Sequence, residues 1–390
     1  MVEKIIILNL GTTSFKFKLF DFNTGEEPVA SGVVERIGAV ESGWSFTVGD
    51  VRKNGTAVCD DHEAAFALTL ELLKTAGVVV SLNELDGIGF KTVHGGSLRG
   101  AVAVDDYVLA TLEEYAAFAP AHNPMYVKLM RRLREKFPRL RQVACFETSF
   151  HADIPPERTV YGVPFDWMEK YGIRRYGFHG SSHSYIAAKM RELAPETRKI
   201  ISLHLGGSSS ICAIVDGKSV AVSMGATPQS GLFQNNRVGD FDVFCLPRLI
   251  EAYGSIDVVL EELSTQSGFL GLSGVNNDLR DVITAAGKGN KQAALAINAF
   301  ADNCIGYIGM FSAYMQGVDA LVFTGGIGQN CKSLREKICM HLAYLGIKLD
   351  LDKNYGKISR DDSLIQVWVL ETNEELMVAS QTRKVLKAIQ

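Results

Sequence analysis

Residues 8–21 (LNLGTTSFKFKLFD) and 203–216 (LHLGGSSSICAIVD) align without a gap at an offset of 195, half of the 390-residue chain. Gly11 falls on Gly206, Leu10 on Leu205, Ser14 on Ser209 and Asp21 on Asp216. A unit that recurs at half the chain length constrains the architecture before any single motif does, because each copy must seed a sheet of its own. Each copy reads as an apolar strand, a glycine followed by hydroxyl-bearing residues, and an alternating strand, the pattern of a β-hairpin with a tight polar turn. Two unrelated hairpins are the plain alternative to a duplication.

Between the strands, residues 62–76, 126–137, 182–193, 291–315 and 374–389 carry apolar side chains at i, i+3, i+4 spacing and read as helices. Apolar runs at 85–93, 141–146, 199–205, 320–324 and 365–370 read as strands. This alternation predicts an α/β protein with mixed sheets covered by helices. The repeat and the Gly- and Pro-bearing stretch 155–172 place a domain boundary near residue 150.

Lys and Arg total 40 against 44 Asp and Glu, a net charge of −4. With no global basic field, nucleic acid and acidic membrane are poor partners, and small ligands are expected instead. The seven cysteines are scattered without a C-x-x-C pair, so neither a zinc site nor a disulfide framework is expected, and a reducing cytoplasm fits. No signal sequence or membrane span is expected either.

Strand ends rich in Gly, Ser and Thr free backbone N–H groups for anionic oxygens. Lys16 adds a charge to the first such loop, and residues 322–330 (VFTGGIGQN) run from a strand into glycines and then a helix expected over 331–345. G-x-x-x-x-G-K-[ST] and G-x-G-x-x-G are both missing. His94, His122, His179, His183 and His204 sit beside Gly or Pro at chain reversals, where a rigid scaffold positions binding residues. Glu147 and His151 follow a strand in the same way. Arg237 near Asp240 and Asp242 reads equally as site residue or structural ion pair.

These segments, in order, resemble the acetokinase (acetate and propionate kinase) family, within the superfamily of sugar kinases, actin and heat-shock ATPases. The likeness lies in Asn-x-Gly-x-x-Ser-x-Lys at 9–16, Val-His-Gly-Gly at 93–96, Ala-Pro-x-His-Asn-Pro at 119–124, Tyr-Gly-Phe-His-Gly-x-Ser-His at 176–183 and His-Leu-Gly at 204–206. It continues through Ser-Met-Gly-x-Thr-Pro at 223–228, Arg-x-Gly-Asp at 237–240, Ser-Gly-Val-x-Asn-Asp-x-Arg-Asp at 273–281, Gly-Ile-Gly-x-Asn at 326–330 and Thr-Asn-Glu-Glu-Leu at 372–376. The resemblance implies a duplicated ribonuclease H-like (actin-like ATPase) fold with an interdomain cleft. It implies a carboxylate and phosphate-loop domain of 1–150 plus about 375–390, and a nucleotide-binding domain of 151–374. The implied reaction is reversible phosphoryl transfer from ATP to a short-chain carboxylate with Mg²⁺, in a cytoplasmic homodimer.

By the same resemblance, Glu147, His179, Arg237, Lys91 and His122 would serve the transferring group, and Asn9 and Glu374 would hold Mg²⁺. Lys16, His204, Leu205, Gly206, Gly207 and Ser208 would take the phosphates. Asp278, Leu279 and Arg280 with Gly326, Ile327, Gly328, Gln329 and Asn330 would take the adenosine. Lys91, Val93, Ala121, Phe178 and Pro228 would form the acyl pocket.

The chain departs from the family pattern at the reaction site. Glu147 stands for Asp, Lys91 for Arg, Gly207–Ser208 for Asn-Gly, Gln329 for Glu and Ala121 for Leu, and Leu10 and Phe15 alter the first loop. The loss of three side-chain carbons at Ala121 leaves room for extra methylenes, each worth about 0.8 kcal/mol when buried, so an acid larger than acetate is expected. A catalytically weak nucleotide-binding paralogue with a regulatory role is the alternative.

Overall fold

The computed structural model describes residues 2–120 and 122–389, which form two compact units, Met1–Ala152 with Asn373–Gln390 and Asp153–Thr372.

The first unit is built on an eight-stranded sheet: β1 (Lys4–Gly11), β2 (Ser14–Asp21), β3 (Pro28–Glu35), β4 (Ser42–Val48), β5 (Val51–Ala57), β6 (Gly87–Thr92), β7 (Ala101–Ala103) and β8 (Gln142–Phe146). Its order is β5-β4-β3-β2-β1-β6-β8-β7. β1 pairs antiparallel with β2 and parallel with β6, which pairs parallel with β8. A strand covered on both faces needs a continuous apolar run, and β1 has one. Ile6, Leu8 and Leu10 enter the core on one face, while Ile5 and Ile7 pack with Val378, Ala379 and Leu386 of the C-terminal helix Glu374–Ala388 on the other. That helix lies so close that Cβ atoms on Gly87 and Gly89 would meet Leu386 Cδ1 at 2.7 Å and Thr382 Oγ1 at 2.3 Å. Glycine on β6 therefore serves close packing.

The second unit carries the other copy of the repeat. Its strands are β9 (Lys199–Leu205), β10 (Ser209–Val215), β11 (Lys218–Val222), β12 (Ala320–Thr324), β13 (Gly356–Lys357) and β14 (Gln366–Val369), in the order β11-β10-β9-β12-β14-β13. β10 and β11 run antiparallel beside β9, and β12 and β14 run parallel on its other side. This is the arrangement of β3-β2-β1-β6-β8, so both hairpins read from the repeat are present, and the duplicated ribonuclease H-like topology is realised in each unit. One face of this sheet packs on the helix Lys291–Met315 through Phe300, Cys304, Ile308 and Phe311. Among the described residues this is the one helix with the length and apolar composition of a membrane span, and its buried side chains belong to the core.

Several element boundaries differ from those read in the sequence. The helix expected over 126–137 starts at Asn123, with Pro124 in its first turn. The helix expected over 331–345 spans Lys332–His341 and is preceded by a separate helix, Gly325–Asn330, formed by the glycines themselves.

Candidate functional site

Strand parity sets the first cluster. The odd-numbered residues of β1, β6 and β8 face the C-terminal helix. Where the apolar contact ends, the same alternation presents Asn9, Lys91 and, one step beyond β8, Glu147. The first turn of the C-terminal helix brings Glu374 and Glu375 to this rim. Lys91 Nζ donates to Glu374 Oε2 and lies 4.0 Å from Glu147 Oε1, and Lys18 Nζ lies 3.2 Å from Glu375 Oε2. Burial alone would push the pKa of Lys91 down. Glu374, Glu147 and Glu375 together outweigh it and hold the ammonium charged beyond the ordinary lysine range.

Tyr126, fully buried, ties the rim together. Its hydroxyl donates to Lys91 O at 2.5 Å and accepts from Leu10 N at 2.9 Å, clamping the ends of β1 and β6. The exposed Lys16 stands opposite Asn9 in the β1–β2 register, and both line a hollow of about 280 Å³ with Lys18, Arg52 and Glu375.

His122 occupies the N-cap position of the helix Asn123–Lys136, and Val93 is the partly buried residue that follows β6. Ala121 lies outside the described residues. His94 has the structural role of a core histidine. It is fully buried, stacked on Tyr115 and Phe118 with ring centroids 5.1 and 5.4 Å away, and its Nδ1 accepts from Gly96 N at 3.0 Å.

Burial draws the His94 pKa from about 6.5 to about 4. Between those values the unfolded chain binds the proton and the folded one does not, so stability falls as pH drops from about 6.5 to about 4, by about 3 kcal/mol at the lower end. Urea midpoints followed from pH 7 to pH 4 should converge between wild type and His94→Gln. A constant gap would show that His94 does not titrate in this window.

The second cluster belongs to the other unit. His179 N-caps the helix Gly180–Leu193 with φ 59°, a left-handed conformation uncommon for histidine. Its Nδ1 lies 2.8 Å from Ser210 Oγ, and its ring stacks on His204 with centroids 4.3 Å apart. His183 bridges Ser202 Oγ at 2.9 Å and Ser210 Oγ at 2.8 Å, and Ser182 Oγ lies 2.8 Å from His204 Nδ1. Ser210 has one proton for two imidazoles, so donating to one requires accepting from the other, and the rings are locked in orientation.

The ion pair considered for Arg237 does not form. Its Nη1 donates to Ser208 Oγ at 3.3 Å and Gln234 Oε1 at 3.2 Å. Asp240 instead accepts from Gly231 N at 2.8 Å and Tyr307 Oη at 2.5 Å. Gln234 also donates to Pro228 O at 2.8 Å, and Asn235 N donates to Gly207 O, so the Arg237 segment is tied to the 204–208 loop. Desolvation draws the Arg237 pKa down.

Gly206 sits where its Cβ would be 3.9 Å from Gly326 N, so the two glycine loops meet. Buried Arg335 donates from Nη1 to the carbonyls of Gly328 (2.9 Å) and Gln329 (2.7 Å), and Asn330 Nδ2 donates to Gly326 O at 2.8 Å. Asp278 caps the helix Leu279–Gly287 and pairs with Arg280, whose guanidinium pulls the carboxyl down to about 2; Leu279 is buried in the core. Phe178 is buried next to His179, and Ile327 packs against the core.

Tyr126, Gln234 and Arg335 carry no sequence signal of their positioning roles. An aromatic or a cation at helical spacing looks like core or surface until its hydrogen-bond partner is known.

Among the described residues no group of three or more His, Cys, Asp or Glu side chains could by itself hold a metal ion. Asn9 and Glu374 offer two hard oxygen donors at one rim, enough for Mg²⁺, which usually completes its shell with water and substrate phosphates.

The family model described as the Acetokinase family matches residues 4–380. Acetate kinase of Clostridium novyi (strain NT) is 40% identical over 396 residues, covering 98% of each chain. Propionate kinase of Citrobacter rodentium (strain ICC168) is 40% identical over 396 residues, covering 100% of this chain and 98% of the relative. The crystal structure of Porphyromonas gingivalis acetate kinase superposes with a TM-score of 0.91 at 36% identity, over 98% of this chain and 100% of that one. A propionate kinase from Francisella tularensis subsp. tularensis SCHU S4 gives 0.91 at 33% identity, over 97% and 98%. With agreement in motif order, duplicated topology and nearly full-length similarity, the chain belongs to the acetokinase family.

Proposed function

We propose that this enzyme transfers the γ-phosphoryl group of ATP to a short-chain carboxylate, reversibly, giving an acyl phosphate and ADP, and that its preferred acid is larger than acetate. Family membership across the whole chain supports a phosphotransferase with a carboxyl acceptor. The observation that carries the proposal is Arg237, a partly buried guanidinium with no carboxylate within ion-pairing distance among the described residues, held against the 204–208 loop.

An anionic acid must approach an anionic phosphate, so catalysis is mostly positioning and charge neutralisation. Arg237 and His179 would meet the equatorial oxygens of the transferring group, and His122 would serve the same group. Lys16 and residues 204–208 would hold the phosphates, and 278–280 with 326–330 the adenosine. Lys91, Val93, Ala121, Phe178 and Pro228 would serve the acid, and Glu147 would orient it for attack on the phosphorus. When bound, Mg²⁺ supplies charge neutralisation to the phosphates; Asn9 and Glu374 would hold it. In this proposal the first unit is the carboxylate and phosphate-loop domain, the second is the nucleotide-binding domain, and the enzyme is a cytoplasmic homodimer.

A hydroxamate assay across acetate, propionate, butyrate and functionalised acids, with ATP and with pyrophosphate, tests this directly. Turnover is expected with ATP alone, and propionate or a longer acid should exceed acetate in kcat/KM by roughly ten-fold, the scale of one or two buried methylenes. Acetate equal to or better than the rest would refute the larger acid. Silence on every acid despite measurable ATP affinity would favour a nucleotide-binding regulator. Lys91→Arg combined with Glu147→Asp should raise acetate turnover, because a displacement of about 1 Å at the reacting groups costs up to roughly 100-fold.

A further inference from the structure

The contact between Lys91 and Glu374 joins the residue proposed for the acid to one proposed for the cation. β6 contributes Lys91 and the C-terminal helix contributes Glu374, 283 positions later. Both side chains are 15% exposed, so their charges are poorly screened by water. Glu375 is paired with Lys18 at 3.2 Å, and Glu147 stands 4.0 Å from Lys91.

We infer that Lys91 is an exchangeable counter-ion of Glu374: its ammonium leaves Glu374 for the substrate's carboxylate, which opens Glu374 to the divalent cation, so that acid and cation bind cooperatively. This inference rests on the function proposed above and concerns how its two ligands communicate.

Three observations carry it. The Glu374 oxygen that bonds the ammonium is a donor of the type the cation requires, and a cation and an ammonium repel at that range. The backbone of Lys91 is fixed through Tyr126, whose hydroxyl bridges Leu10 N and Lys91 O, so exchange is a swing of the side chain alone. The residue is lysine, a compact point charge on a flexible four-carbon stem, whereas a guanidinium fork could grip two carboxylates at once. Linkage then requires reciprocity: whatever acid does for cation affinity, cation does for acid affinity.

The test measures Mn²⁺ affinity by electron paramagnetic resonance on the full chain with saturating ADP, across a propionate titration. In wild type, propionate should tighten Mn²⁺ binding roughly ten-fold, within the usual range of coupling between sites. In Lys91→Met, Mn²⁺ should bind more tightly without acid, and the propionate effect should shrink to within two-fold. Any nearby positive charge would produce the first change, but only loss of coupling reports the exchange. Coupling that is missing in wild type, or that persists in Lys91→Met, overturns the inference.

If Lys91→Met does not fold, Lys91→Arg decides. Its coupling should fall below wild type because the fork can hold the acid and Glu374 at once, so that binding of the acid no longer frees Glu374, and coupling equal to wild type overturns the inference. Turnover is read separately. A chain that phosphorylates acids but shows no coupling defeats only the exchange, whereas one that couples Mn²⁺ and propionate but phosphorylates no acid defeats the function proposed above.

Discussion

Arg237→Ala is expected to lower kcat by roughly 10³-fold, the lower range for an arginine that stabilises a transferring phosphoryl group, with KM for ATP moving less than ten-fold. The guanidinium is partly buried, its acceptors Ser208 Oγ and Gln234 Oε1 are neutral and at 3.2–3.3 Å, and no carboxylate stands within ion-pairing distance among the described residues. Desolvation lowers its pKa, which means the charge is held at a cost. A cation in that state stabilises most strongly the species with most negative charge, and in phosphoryl transfer that charge is spread over the equatorial oxygens. Arg237→Lys keeps the charge without the fork, so an intermediate loss of roughly 10²-fold is expected. Steady-state hydroxamate kinetics on both variants decide. A kcat within ten-fold of wild type for Arg237→Ala would make the residue a tether of its loop.

Much of the fold is legible in the sequence because the repeat is literal. Lys4 and Lys199 open β1 and β9 at the same offset that aligns 8–21 with 203–216. The apolar runs of β1, β8 and β12 are continuous because both faces of each are covered. Ordered motifs likewise name Lys91, Glu147 and Glu374, which gather on the first unit, and His179, His183 and His204, which gather on the second.

The sequence does not convey how those residues pair. His94 and His179 both precede glycine, yet one is an aromatic-stacked core residue and the other a strained helix cap sharing Ser210 with His183. Lys91 and Glu374 meet only because sheet register and helix placement coincide far along the chain. The helix at Gly325–Asn330 contradicts propensity, since glycine costs about 1 kcal/mol in a helix relative to alanine. What selects glycine there is a neighbour that local sequence does not encode, the end of β9.

That neighbour makes Gly325→Ala the other large effect expected. Gly325 has φ +75°, and a Cβ there would lie 2.6 Å from Leu205 O, 3.0 Å from Leu205 C and 3.2 Å from Leu205 N. All three atoms are backbone at the end of β9, where Leu205 is paired with Ser209 and the preceding His204 with Thr324, so they move only by disturbing the sheet. The left-handed conformation costs an L-residue about 1–2 kcal/mol, and displacing the strand end adds to it, giving an expected stability loss of about 2–4 kcal/mol. The displacement would run into the 204–208 loop, where Ser208 accepts from Arg237 and Gly207 O accepts from Asn235 N, so ATP affinity should weaken at least ten-fold in the molecules that still fold. Gly326→Ala is the matched control, because nothing lies within 4 Å of its Cβ position. Measured by urea unfolding without nucleotide, it should be neutral or stabilised by up to about 1 kcal/mol through better helix propensity. A Gly325→Ala chain within 1 kcal/mol of wild type would mean that β9 yields at Leu205, and that the close approach of the two glycine loops is not what fixes the position of Arg237.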